Sequence, residues 1–165
     1  MKRAVLFALT LVLAACSKPQ PATPGDNPGA RLEAAATGAG LIPEPRHASL
    51  IGSWALDTDR ACIVSGNKGV SRVGLLVDYG DGQGCAASGT MERDGERLTI
   101  KAGRCTVKAR FDGERIIFPP DLPGDCAALC TGRASLESFT VEQVSGSASE
   151  AATLRTPSGR PLCTG

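Results

Sequence analysis

The stretch Arg97–Phe111 constrains the fold most. Leu98 and Ile100 alternate with Thr99 and Lys101, and Cys105, Val107, Ala109 and Phe111 alternate with Thr106, Lys108 and Arg110. Period-two alternation places one set of side chains on each face of an extended chain, so both runs read as half-buried β-strands. Asp94-Gly95 and Asp112-Gly113 separate such runs, and Ala102-Gly103 makes a third, weaker turn. Asp-Gly suits a two-residue hairpin because both residues tolerate positive φ. The pattern predicts a meander with strands at 84–92, 97–101, 105–111 and 114–119. Leu50–Leu56, Ala61–Ser65 and Val70–Asp78 read as further strands upstream, and Ser138–Val144 and Ala151–Arg155 as two at the end. Pro119-Pro120 and Pro123-Gly124 break the chain before a short helical turn at Cys126–Cys130. The expected fold is all-β: a small antiparallel barrel or sandwich of about eight strands with one short helical turn.

Cysteine usage adds cross-links. Of seven cysteines, Cys16 stands apart from Cys62, Cys85, Cys105, Cys126, Cys130 and Cys163. An even set in a small domain argues for disulfides in an oxidising compartment. Cys85 and Cys105 fall on one face of the proposed meander and are the one pair that local geometry suggests. The others would tie the C-terminal tail and the Cys126 turn to the start of the domain. Zinc binding is disfavoured, because Cys126 and Cys130 have no second pair nearby and the sole histidine is His47.

The N-terminus indicates export. Lys2 and Arg3 precede an apolar run, Ala4–Ala15, of 12 residues. A helix of that length spans about 18 Å, too short for a hydrocarbon core of about 30 Å. It fits a signal-peptide core instead. The run ends in Leu13-Ala14-Ala15-Cys16, which resembles the lipobox of bacterial lipoproteins. That resemblance implies removal of residues 1–15 and acylation of Cys16. Two or three acyl chains give a stable anchor. Ser17, where Asp would favour inner-membrane retention, implies an outer-membrane, periplasm-facing location.

Residues 16–49 read as the lipidated cysteine followed by a disordered tether. They contain six prolines and no aromatic residue, and Leu32, Leu41 and Ile42 are the only large apolar side chains. Too little surface can be buried there to offset the ordering of the backbone. A short helix over Arg31–Ala36 should be marginal in isolation. The β-domain is assigned to residues 50–165.

Gly52-Ser53-Trp54 near the first strand is similar to the G-x-W opening of lipocalin-type barrels and of the bacterial metalloprotease inhibitors with an eight-stranded barrel. The resemblance implies that Trp54 plugs one end of a barrel.

Catalytic patterns are lacking. A Ser-His-Asp triad needs a histidine beside its serine, and His47 lies in the tether. Gly66-Asn67-Lys68-Gly69 lacks phosphate-loop spacing. Asp78-Tyr79-Gly80-Asp81-Gly82-Gln83-Gly84 has glycines where a calcium loop needs side-chain oxygens. No enzyme activity, cofactor or metal is expected. Residues 50–165 carry 13 Lys/Arg against 14 Asp/Glu, which argues against a nucleic-acid partner.

One surface has directional chemistry. Arg97, Lys101, Lys108, Arg110 and Arg115 fall on the outward face of the meander. With two-residue turns, Arg97 would lie opposite Lys108, Arg110 opposite Arg115, and Glu92 opposite Arg97. This face is a candidate site for an anionic envelope component or a periplasmic protein. The functional expectation is a lipid-anchored binding or structural accessory module. The alternative is an inhibitor of a periplasmic protease or other envelope hydrolase.

Overall fold

The structure, a computed structural model, describes residues 27–41 and 44–163. The proposed leader, Cys16 and the first part of the tether lie outside the described residues. The chain divides into two compact units, Met1–Ile42 and Pro43–Gly165.

In the first unit, Pro28–Gly38 forms helix α1. Asn27 caps it, its side-chain oxygen accepting from Gly29 N at 3.0 Å, and Pro28 occupies the first turn. The helix is longer than the Arg31–Ala36 segment expected and replaces disorder there. The cap and Pro28 favour an earlier start, and the alanine-rich run propagates well. None of its residues is buried.

The second unit contains strands β1 (Gly52–Leu56), β2 (Asp59–Val64), β3 (Ser71–Asp78), β4 (Gly84–Asp94), β5 (Arg97–Ala102), β6 (Cys105–Phe111), β7 (Arg115–Ile117), β8 (Cys130–Thr131) and β9 (Thr140–Ser145). Each of β1 to β6 pairs antiparallel with the next. β9 then pairs with both β7 and β1 and closes an eight-stranded up-and-down barrel. The two-residue β8 adds to the start of β4. Closure satisfies the strand edges that an open sheet would leave unpaired.

Alternation along the strands fills the barrel. In β6, Cys105, Val107, Ala109 and Phe111 are buried while Thr106, Lys108 and Arg110 are exposed. Trp54, Phe111, Phe118 and Phe139 are the largest fully buried side chains. The end near Trp54 is covered by residues 44–51, most of which fall in the stretch expected to be tether. Trp54 Nε1 donates to Leu50 O at 3.0 Å, and its ring meets Phe111 edge-on at 5.9 Å. Arg93, on the inward side of β4, donates to the carbonyls of Ala48, Pro45 and Gly95. The other end is covered by the β7–β9 connection, where Leu122, Leu129 and Ala134 pack on the barrel core. That connection carries a 3-10 helix, Gly124–Leu129, slightly ahead of the turn expected at Cys126–Cys130.

Residues after β9 form a strap outside the barrel. Ala148–Ala151 is a short helix, α2, capped by Ser147, so the strand expected at Ala151–Arg155 is absent. Ser147 Oγ accepts from Glu150 N, a local bond that favours helical turning over extension. Ala151, Leu162 and Cys163 form a separate apolar cluster with Cys62 and Leu76 on the outer face of β2 and β3.

All six remaining cysteines are paired: Cys62–Cys163, Cys85–Cys130 and Cys105–Cys126. The pairing Cys85–Cys105 is therefore corrected. Both side chains do lie on the buried face. However, β5 separates their strands, and its pairing with β4 covers only Thr90–Asp94. Cys85 lies five residues before Thr90, about 16 Å along the strand, whereas a disulfide needs Cα atoms within about 7 Å. The Cys126 turn is tied to β6 and β4, not to the start of the domain; the C-terminal tail is tied to β2, as expected.

Candidate functional site

The outer face of β5, β6 and β7 carries the basic residues singled out by the sequence. Its register differs from the one expected. Arg97 lies opposite Arg110 and Asp94, and Lys108 lies opposite Thr99. Arg110 lies opposite Ile117, and Arg115 opposite Glu142 on β9. Glu92 faces Thr99, not Arg97.

The cause is the turns. Gly95 and Gly103, at φ +62° and +57°, are the first central residues of their hairpins. Asp94 and Ala102 stay in the strands as the last paired residues. Glycine at the first central position is the type II′ arrangement, not the Asp-Gly type I′ one. The β6–β7 loop is longer, with Asp112 N donating to Arg115 O at 3.2 Å. Partners slide by two residues, so each side chain keeps its face.

Loop and strand acids answer most of the cations. Arg97 approaches Asp94 at 3.6 Å, Lys101 approaches Glu92 at 3.1 Å, Arg110 approaches Asp112 at 3.8 Å, and Arg115 approaches Glu142 at 2.8 Å. Arg104, beside the turn, approaches Asp125 at 3.6 Å. Among the described residues, Lys108 is the one member of this face with no ion pair to an acid. The pairs are exposed, and such pairs contribute at most about 1 kcal/mol each. Guanidinium groups on neighbouring strands present planar donor forks suited to carboxylate or phosphate.

Asp112 matters more than the sequence indicated. Burial alone pushes its carboxyl up, but opposing influences prevail and hold it below the ordinary value. Its Oδ1 accepts from Arg115 N at 2.8 Å and Glu114 N at 3.1 Å, and the charges of Arg110 and Arg115 add to this. Asp59 behaves in the opposite sense. Burial raises its pKa, with Asp57 adding repulsion, and neither the backbone hydrogen bond from Thr140 nor the charge of Arg60 offsets this.

The other chemical elements are dispersed. His47 is exposed and 3.6 Å from Glu44, in the segment covering the Trp54 end. The Asp78–Gly84 segment is the β3–β4 hairpin loop, with Tyr79 N donating to Gln83 O at 2.9 Å. Among the described residues, no group of three or more His, Cys, Asp or Glu side chains is arranged to hold a metal. Among the described residues, no helix is long and apolar enough to cross a membrane.

Sequence reasoning missed Arg93 and the groove beside Cys163. Arg93 was legible: it shares parity with buried Met91, which is unusual for a residue expected on the surface. No protein-family model matches the chain, and no curated protein or solved structure matches it.

Proposed function

We propose that this chain is a lipid-anchored cell-envelope protein whose disulfide-bonded barrel acts as a binding or structural accessory module rather than a catalyst. The observation that carries this reading is the distribution of cysteines. Six are consumed in three disulfides within the barrel unit. The seventh, Cys16, ends the lipobox-like segment. Disulfides persist in exported proteins, and the cysteine left over is the one the lipoprotein resemblance would acylate. In this reading, Cys16 fixes the protein to the outer membrane and the barrel faces the periplasm.

The contact surface is assigned to the outer face of β5 and β6, with Arg97, Lys108 and Arg110 at its centre. Its partner is an anionic envelope component or an acidic protein surface. The directly opposed Arg97 and Arg110 support this, because like charges across a strand pair are mildly unfavourable until an anion bridges them.

A photo-crosslinker placed at Lys108 in cells tests the assignment. A captured partner that disappears when Arg97 and Arg110 are both changed to Glu supports it. An unchanged capture profile refutes it. Mixing the purified protein with envelope proteases tests the alternative: dose-dependent loss of protease activity would replace the accessory reading with an inhibitor.

A further inference from the structure

We propose that Cys85–Cys130 is a thiol-exchange site for a dithiol reductant, attacked at Cys130, and that its reduction frees the flap 127–135 while the barrel stays folded. Access, light fastening and the support that remains after cleavage each single out this bond.

Access separates it from the other two. Of the six bonded cysteines, Cys62, Cys85, Cys105, Cys126 and Cys163 are at most 3 % exposed. Cys130 alone is partly exposed. Cys62–Cys163 and Cys105–Cys126 therefore join buried cysteines at both ends, and exchange depends on an attacking thiolate reaching a sulfur. Cys130 directly follows the 3-10 helix Gly124–Leu129 and precedes three exposed residues, Thr131, Gly132 and Arg133. It lines a recess of about 100 Å³ with Leu122, Ala134 and Glu137. The charges there are mixed, Glu137 on the recess and Arg133 three residues beyond Cys130, so access and not electrostatics selects the bond.

The fastening is light. Apart from the disulfide, β8 joins β4 through a two-residue ladder, with Gly84 opposite Thr131 and Cys85 opposite Cys130. Thr131 Oγ1 donates to Gly82 O at 2.6 Å and accepts from Gly84 N at 3.3 Å, and Arg133 N donates to Gln83 Oε1 at 3.4 Å. These side-chain bonds are exposed, and Leu129 and Ala134 are only partly buried against the core. Short elements held by few buried contacts and exposed bonds open at low cost.

The support on either side stays. Strand β4 does not depend on β8, because Gly84–Met91 pairs with β3 and Thr90–Asp94 with β5. The 3-10 helix keeps its own tie through Cys105–Cys126. Beyond the flap, Leu136 and Phe139 are buried, and Ser138 N donates to Pro119 O at 3.1 Å. Breaking Cys85–Cys130 thus frees the stretch between two fixed points.

The exchange balances as a two-electron reduction. A thiolate of the dithiol attacks Cys130 Sγ, the disulfide breaks, and Cys85 leaves as a thiolate that takes a proton. The second thiol of the reductant attacks the reductant sulfur of the mixed disulfide. Cys130 is released as a thiol and the reductant departs as its disulfide. The flap then lifts, taking Leu129 and Ala134 off this end of the barrel.

The test uses the full protein with limiting dithiothreitol, alkylation at intervals and mass mapping, alongside amide exchange. The expected result is labelling of Cys85 and Cys130 before the other four. Flap amides should then exchange at least about tenfold faster while barrel amides stay protected. Labelling of another pair first, simultaneous loss of all three bonds, no labelling, or a flap that remains protected after reduction would each overturn the proposal. With the monothiol glutathione in place of the dithiol, the adduct should sit on Cys130; an adduct on Cys85 contradicts the direction of attack. Thr131→Ala gives a further reading: reduction of Cys85–Cys130 alone should quicken about fivefold, the equivalent of one lost hydrogen bond, and an unchanged rate contradicts the proposal. If that variant does not fold, the order of labelling in the unaltered protein decides.

Discussion

The guanidinium of Arg93 lies 5.4 Å from the centre of the Phe111 ring, and this stack locks residues 44–51 over one end of the barrel. From there it donates to the carbonyls of Pro45, Ala48 and Gly95. Removing it leaves half-buried carbonyls short of a donor as well as losing the ring contact. Arg93→Ala should lower unfolding free energy by about 2–3 kcal/mol, read from the urea midpoint. Arg93→Lys should recover only part, because an ammonium cannot serve all three carbonyls and stack flat on the ring.

Gly52 is required by its neighbour. Its φ is +140°, and a Cβ built there falls 1.9 Å from Ser145 O. Val144, beside that contact, is the extra residue of a bulge where β9 meets β1. Gly52→Ala should destabilise by at least about 3 kcal/mol, because strand β1 or β9 must move. Gly95→Ala is the control: its φ is +62° but nothing crowds its Cβ position. It should cost only about 1 kcal/mol, the left-handed penalty alone. Parallel denaturant titrations compare the two.

The disulfides that hold the β7–β9 connection close loops of different size. Cys105–Cys126 spans 21 residues and Cys85–Cys130 spans 45. Loop-entropy arguments give about 3 kcal/mol for the shorter and about 4 kcal/mol for the longer. Replacing Cys105 and Cys126 with Ala should therefore be less damaging than replacing Cys85 and Cys130. Unfolding curves under non-reducing conditions measure both.

Two carboxylates give opposite pH signatures. Asp112 is held below its ordinary pKa, so its contribution is present above the unfolded-state value near 3.8 and is lost as pH falls through the folded value. Asp59 is raised, so its contribution is present below 3.8 and is lost as pH rises through its folded value. Asp112→Asn should destabilise at pH 7, with the effect fading in acid. Asp59→Asn should stabilise at pH 7, with the gain fading below pH 3.8. Stability curves of both variants against pH check the signs.

Local signals made much of the fold legible. The alternation through Leu98 to Phe111 depends only on residues within each strand, and β5 and β6 stand nearly where it put them. Asp94-Gly95 marked a turn but not which residue opens it, because the answer depends on how the strands twist together. Hence Arg97 met Arg110 instead of Lys108, while staying on the outward face. The Ser147–Glu150 cap was readable and outweighs the apolar spacing that suggested a strand at Ala151–Arg155. Disulfide partners were not readable, since they depend on where residues 119–139 fold back across the barrel. The surface cations were legible, but not their counter-ions: Asp112 reaches Arg110 only because the loop after Phe111 curls back.

The intact mass of the protein recovered from cell membranes tests the central assignment most directly. The account predicts a chain that starts at Cys16, carries acyl mass on that residue, and lacks the six hydrogens removed by three disulfides. A chain that retains Met1, carries no lipid and offers free thiols to alkylation would contradict it.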